Sequence, residues 1–144
     1  MGPVCCRYTR PTEWMEGGTV KTAKDYLDEA NAVVPKIGFE EALAKHREGQ
    51  ALFIDVRDSA AIGETGTVPG AMRLPRGMVE FAADPSTPFH REALSKDRDI
   101  VLICGAGGQA ALAGRTLKEM GFTQVSNAGG FPAWKEAGGP TEEG

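Results

Sequence analysis

The sequence predicts a three-layer α/β domain, a mostly parallel central sheet flanked by helices. Two short runs rich in apolar residues, 51–56 and 97–104, read as strands buried on both faces. Segments with apolar residues at helical spacing alternate with them along the chain. At 144 residues the chain suits one hydrophobic core and one domain.

In chain order, TVKTAKDYLDEANAVV places Val20, Ala23, Tyr26, Leu27 and Ala30 at helical spacing, which predicts an amphipathic first helix closed by Pro35. Ile37 is a candidate edge strand. FEEALAKHREG predicts a second helix with Phe39, Ala42 and Leu43 on its apolar face, Ala44 beside them and Gly49 at its end. Residues 51–56 follow as a central parallel strand. IGETGTVPGA is expected to be a glycine-rich loop that leads into a second short strand, AMRLP, ended by Pro75. Pro85 and Pro88 break residues 76–94 into short helical turns. DRDIVLIC is the clearest strand. It runs into GAGGQ, after which AALAGRTLKEMGF predicts a helix with Ala111, Leu112, Leu117 and Met120 apolar and Gly121 at its C-cap. Val125 marks another short strand, and GGFPAWKEAGG closes the domain with a turn and a brief helix. Residues 1–18 are expected to be a flexible N-terminal extension, 19–140 the single domain and 141–144 a tail.

Composition excludes several function classes. A net charge of -4 and a pI near 5.2 argue against a nucleic-acid partner, which needs clustered Lys and Arg on one face. No apolar run approaches the length of a membrane span, and MGPVCCRYTRPTEW lacks the apolar core of a secretory signal. The expected setting is the cytoplasm, without a membrane partner. The cysteines are Cys5, Cys6 and Cys104, an odd count that is no disulfide framework. His46 and His90 are isolated, and no second Cys or His pair stands at metal-ligand spacing, so no metal site is expected.

The chemistry points to Cys104. It stands at the carboxyl end of a buried strand and is followed by a glycine-rich turn and a helix, the place where open α/β sheets put ligands. The backbone N–H groups from Gly105 through Ala106, Gly107, Gly108 and Gln109 to Ala110 can curl around the sulfur, with the positive end of the next helix beneath it. Both effects favour an anionic, nucleophilic sulfur. A lone cysteine ending a core strand also reads as a small buried hydrophobe. Packing alone, however, does not explain three glycines in that turn. A phosphate-cradling loop is a further reading, but the Lys-Ser/Thr pair of a P-loop is missing.

Four segments together resemble a known family. IDVRD (54–58), TVPGAMRLP (67–75), CGAGGQA (104–110) and NAGGFPAW (127–134) are similar, in order and spacing, to the signature segments of rhodanese domains. The likeness runs from about residue 32 or earlier to 138, and residues 76–90 further resemble a group of small bacterial single-domain rhodaneses. The resemblance implies a rhodanese-like three-layer sandwich and a sulfurtransferase. In such an enzyme Cys104 takes a sulfane sulfur from a small sulfur-containing anion or a persulfide donor, holds it as a persulfide, and passes it to a thiol or cyanide acceptor. It implies no metal and no organic cofactor, and a monomer or homodimer.

The family loop usually reads Cys, four residues, Arg, then often Ser, where this chain has Gln109 and Ala110. An arginine fork would bind the oxyanion of thiosulfate by charge-assisted bonds that a neutral amide cannot match. Weak thiosulfate activity is therefore expected. Arg57 and Arg76 are the candidate substitute cations, each also readable as a structural ion pair with Asp55 or Asp58, and Asp55 as a residue that orients backbone. The phosphatases that share this fold carry Arg six positions after Cys, and here that position is Ala110, which argues against phosphate monoester chemistry. The competing reading is a catalytically weak rhodanese-like module that binds a partner or senses sulfane sulfur. Cys104 favours the transferase, and Gln109 the module.

Overall fold

The structure is a computed structural model that describes residues 20–144. The expected extension over 1–18, with Cys5, Cys6 and Trp14, lies outside the described residues. Four strands, β1 (Leu52–Asp55), β2 (Met72–Arg73), β3 (Ile100–Cys104) and β4 (Val125–Gly130), form one sheet in the order β2-β1-β3-β4, every pair parallel. Six helices accompany them: α1 (Ala23–Val33), α2 (Phe39–Glu48), α3 (Ser59–Thr65), α4 (Val79–Ala83), α5 (Gly108–Glu119) and α6 (Phe131–Glu136).

The period-2 alternation of β1 and β3 sorts the core into two layers. Leu52, Ile54, Ile100, Leu102 and Cys104 pack with Val79 and Ala82 of α4 and with Ala110, Ala113 and Leu117 of α5. Phe53, Val101 and Ile103 pack on the other face with Ala42 of α2 and with Phe131 and Trp134 of α6. Every residue of β1 and β3 is buried, which is why these runs are legible as apolar stretches. Burial of each large side chain contributes about 1.5–3 kcal/mol.

α1 begins in a reciprocal cap in which the Thr22 hydroxyl accepts from the Asp25 amide and the Asp25 carboxylate accepts from the Thr22 amide. Its expected apolar face is only partly buried. Val20 and Tyr26 are exposed, and the helix is anchored by Ala30 together with Val34 just beyond it. A Cβ on Gly114 of α5 would stand 2.9 Å from a Val34 methyl, so the close approach of the two segments depends on that glycine. α5 ends with Met120 as its cap and Gly121 one residue later. The Phe122 amide donates to Leu117 O and the Gly121 amide to Lys118 O, and Leu117 and Phe122 share the core.

The segment from 62 to 71 corrects an expectation. Its first residues belong to α3, not to a loop, because Asp58 caps the helix by accepting from the Ala61 amide at 2.8 Å and Ile62 is driven into the interior. In place of an edge strand at Ile37 there is an isolated parallel bridge of Lys36 with Asn127, and the Ile37 amide donates to Asn127 O. Residues 76–94 form a 3₁₀ turn (Arg76–Met78), α4 and further turns. Within 141–144, Glu142 exchanges backbone bonds with Thr67, and its carboxylate accepts from the Gly70 amide and pairs with Arg73. Among the described residues no helix is long and apolar enough to cross a membrane.

Candidate active site

From β1 the chain passes to β2 on one side and then crosses back to β3 on the other. The carboxyl ends of β1 and β3 therefore flank a switch in strand order, where α/β sheets open a crevice. Cys104 is the last residue of β3, and its alternation turns the sulfur toward α5, leaving it 1% exposed. Two backbone amides converge on Sγ: Gly107 donates at 2.9 Å and Ala110 at 3.4 Å.

The glycines make this geometry possible. Gly107 is the N-cap of α5 with φ 101°, a left-handed conformation that costs a side-chain-bearing residue free energy and that turns its N–H toward the sulfur. Gly130 lies behind the loop. A Cβ there would stand 2.3 Å from the Gly105 carbonyl oxygen, so only glycine lets β4 lie against the turn. α5 is 12 residues long, and the positive end of its dipole sits at the loop. Gly108 and Gln109 occupy its first turn, where helix amides have no partner within the helix. Gly105, Ala106 and Gln109 are exposed, Gly107 and Gly108 half-buried and Ala110 buried.

Asp55 and Arg57 are brought together, but not to the sulfur. Asp55 alternates onto the sheet face opposite Cys104. Arg57 grips it bidentately, with Nη2 at 2.7 Å and Nε at 3.0 Å, and also donates to the Thr65 hydroxyl and the Gly66 carbonyl while lying 4.8 Å over the Phe131 ring. The Thr67 hydroxyl donates to the same carboxylate at 2.7 Å. Arg57 is thus a structural cation, its donors already engaged. Arg76 pairs with Glu80 and donates to the Thr116 hydroxyl on the outer face of α5. It lines a groove of about 570 Å³ with Tyr26, Leu27, Gly108, Leu112 and Arg115, so it shares a surface with one residue of the loop. Glu29 of α1 borders this region. Its hydrogen bonds to Lys21 and then to Arg115 hold its carboxyl below the usual glutamate value.

Asn127 is a residue of the site that the sequence pattern does not single out. This residue is 3% exposed in β4 and touches the loop directly: Nδ2 donates to Gly107 O at 3.0 Å, while Oδ1 accepts from the Gly129 amide at 2.8 Å. Its signal in the sequence is a polar residue two positions before the Gly129-Gly130 pair.

Comparison with known proteins bears on this arrangement. The family model for the rhodanese-like domain matches residues 39–137. A sulfurtransferase from Allochromatium vinosum is 32% identical over 90 residues, which span 62% of this chain and 76% of that protein. Among solved structures, a Rhodopseudomonas palustris protein of unknown function, described as a possible tyrosine phosphatase, aligns over 89% of this chain and 99% of its own at 35% identity with a TM-score of 0.81. The polysulfide-sulfur transferase homodimer of Wolinella succinogenes aligns over 84% and 87% at 28% identity with a TM-score of 0.67. The α1 segment lies before the residues that the family model matches.

Proposed function

The chain belongs to the rhodanese-like domain family, and from that premise we propose that it is a sulfurtransferase working through a persulfide on Cys104. The observation that carries this reading is the convergence of the Gly107 and Ala110 amides on Sγ at the foot of α5. In the first half-reaction the Cys104 thiolate attacks the terminal sulfur of a donor R–S–SH. The S–S bond of the donor breaks with its electron pair leaving on R–S⁻, and Cys104 becomes Cys–S–SH. In the second, an acceptor thiolate attacks the outer sulfur, takes it as R′–S–SH and restores the Cys104 thiolate. The amides of Gly108 and Gln109 remain to hold the outer sulfur, whose negative charge they meet without reorganisation when the persulfide gives up its proton.

The loop favours a persulfide or polysulfide donor over thiosulfate. Residues 105–110 contain no cation, and Arg57 is committed to Asp55, so the sulfite leaving group of thiosulfate finds no arginine fork within the loop. Phosphoryl transfer is disfavoured on the same ground, since phosphate monoester chemistry needs a cation on the equatorial oxygens.

The test is a sulfur-transfer assay with thiosulfate and with polysulfide, comparing the unmodified chain with Cys104→Ser. Transfer that vanishes in the variant, together with an adduct of about 32 Da on Cys104 discharged by a thiol, is the expected result. Gln109 supports a second reading, a binding or sulfur-sensing module. An adduct that forms but is not discharged by thiols or cyanide would favour it.

A further inference from the structure

We propose that Asn127 is a positioning residue that holds the Cys104 loop in its sulfur-binding shape, a role that rests on the sulfur-transfer reading above. Three segments meet at this residue. Its backbone N–H donates to Pro35 O at 2.8 Å, and its carbonyl accepts from the Ile37 amide at 2.9 Å, which joins the linker between α1 and α2 to the edge of β4. Its side-chain amide uses both ends, donating to Gly107 O and accepting from Gly129 N. Aspartate would keep the second bond and lose the first, and leucine would lose both.

The Gly107 carbonyl shows what the contact controls. It accepts from the Ala111 amide at 3.0 Å, the bond that starts α5, and from Asn127 Nδ2 at 3.0 Å. Both lone pairs of one oxygen are therefore engaged, one by the helix and one by Asn127. Gly107 also gives the shorter amide bond to Sγ and takes a left-handed φ that no side chain of its own stabilises. With the carbonyl held from behind, rotation about the Gly107 backbone is restrained, and with it the swing of its N–H off the sulfur. Asn127 is 3% exposed and meets the sulfur through Gly107, so its effect is expected on the rate of sulfur uptake more than on the affinity for a donor.

The experiment compares the full-length chain with Asn127→Ala and Asn127→Asp. Single-turnover formation of the Cys104 persulfide from polysulfide is followed by mass spectrometry, and amide hydrogen exchange is measured residue by residue. The amplitude of persulfide formation reports the folded fraction, whereas its rate constant reports the geometry of the site. Both variants should lower the rate constant at saturating donor by about tenfold and leave the half-saturating donor concentration within about twofold. Exchange at Gly107 and Ala110 should quicken by about tenfold while Leu102 and Leu117 keep their protection. Asn127→Asp, nearly isosteric and still able to accept from Gly129, keeps the test decisive should the alanine variant lose its fold. A full rate constant with reduced amplitude, or unchanged exchange at Gly107, would overturn the role while sulfur transfer stood. No adduct on the unmodified chain would sink both.

Discussion

After β1 the chain closes a polar network on itself. Asp55 accepts from Arg57 and Thr67, Arg57 reaches on to Thr65 and Gly66, and the aromatic face of Phe131 covers the guanidinium. After β3, one strand over, the chain does the reverse. The Cys104 loop carries no charged side chain, exposes Gly105, Ala106 and Gln109, and turns its amides inward on a single sulfur. A buried charge whose partners are all supplied is a fastening. Two amides on one sulfur at the start of a helix, where further amides have no partner within the helix, form a setting that favours an anion. Two adjacent strand ends in one sheet thus differ in kind, one with its charges closed on each other and one with amides turned on a sulfur, and the sequence distance between them says nothing of that division.

The division is broken most directly at Asp55. Asp55→Ala leaves the Arg57 guanidinium buried and uncompensated and should lower stability by about 3–5 kcal/mol in urea unfolding. Adding Arg57→Met should restore part of that loss, and a double variant no more stable than the single one would count against a fastening role. Gly130→Ala comes next. Its methyl meets the Gly105 carbonyl, so it should cost about 1–3 kcal/mol and slow sulfur transfer as well, whereas Asp55→Ala should slow transfer only in proportion to the unfolded fraction.

Gln109→Arg sharpens the comparison from the other side. It returns a cation to the reactive loop and should raise kcat/KM with thiosulfate by about tenfold or more, with stability changed by less than about 0.5 kcal/mol. An unchanged or lower thiosulfate rate would show that the missing fork is not what limits that donor. The smallest effect belongs to Glu29, which ties α1 to α5 through Arg115. Its carboxyl titrates below the ordinary value of 4.5, so its contribution is present above that pH and lost as the pH falls through the lower folded-state value. Glu29→Gln should therefore reduce Tm slightly at pH 7, and the gap should close in acid. A gap that persisted at low pH would assign the effect to packing.

The sequence disclosed what the double burial of β1 and β3 writes into it, two apolar runs, and what the Cys104 turn writes into it, three glycines after a strand. α3 was hidden because Gly63 and Gly66 outweighed, on inspection, the Asp58 cap that starts the helix. The exposed side of α1 was misread because Val20 and Tyr26 fit the helical period although the contact is narrow and centred on Ala30 and Val34. Arg57 reads as a substitute cation because it follows a strand beside the one that ends in Cys104. The alternation that turns Asp55 away from Cys104 decides otherwise. Asn127 stayed out of sight because its importance lies in a carbonyl twenty residues away in sequence.

The strand order carries a consequence for how the molecule comes into being. Every pairing in the sheet is parallel, so none can start from a hairpin and each waits on a crossover, which places the chain among slowly folding topologies. β3 lies between β1 and β4, and until it arrives the sheet is two fragments. The strand that completes the sheet is the one that ends in Cys104. Pairing of β3 with its two neighbours therefore joins the two parts of the sheet and sets Cys104 at its carboxyl edge, while the Gly107 and Ala110 amides that meet the sulfur come with the start of α5.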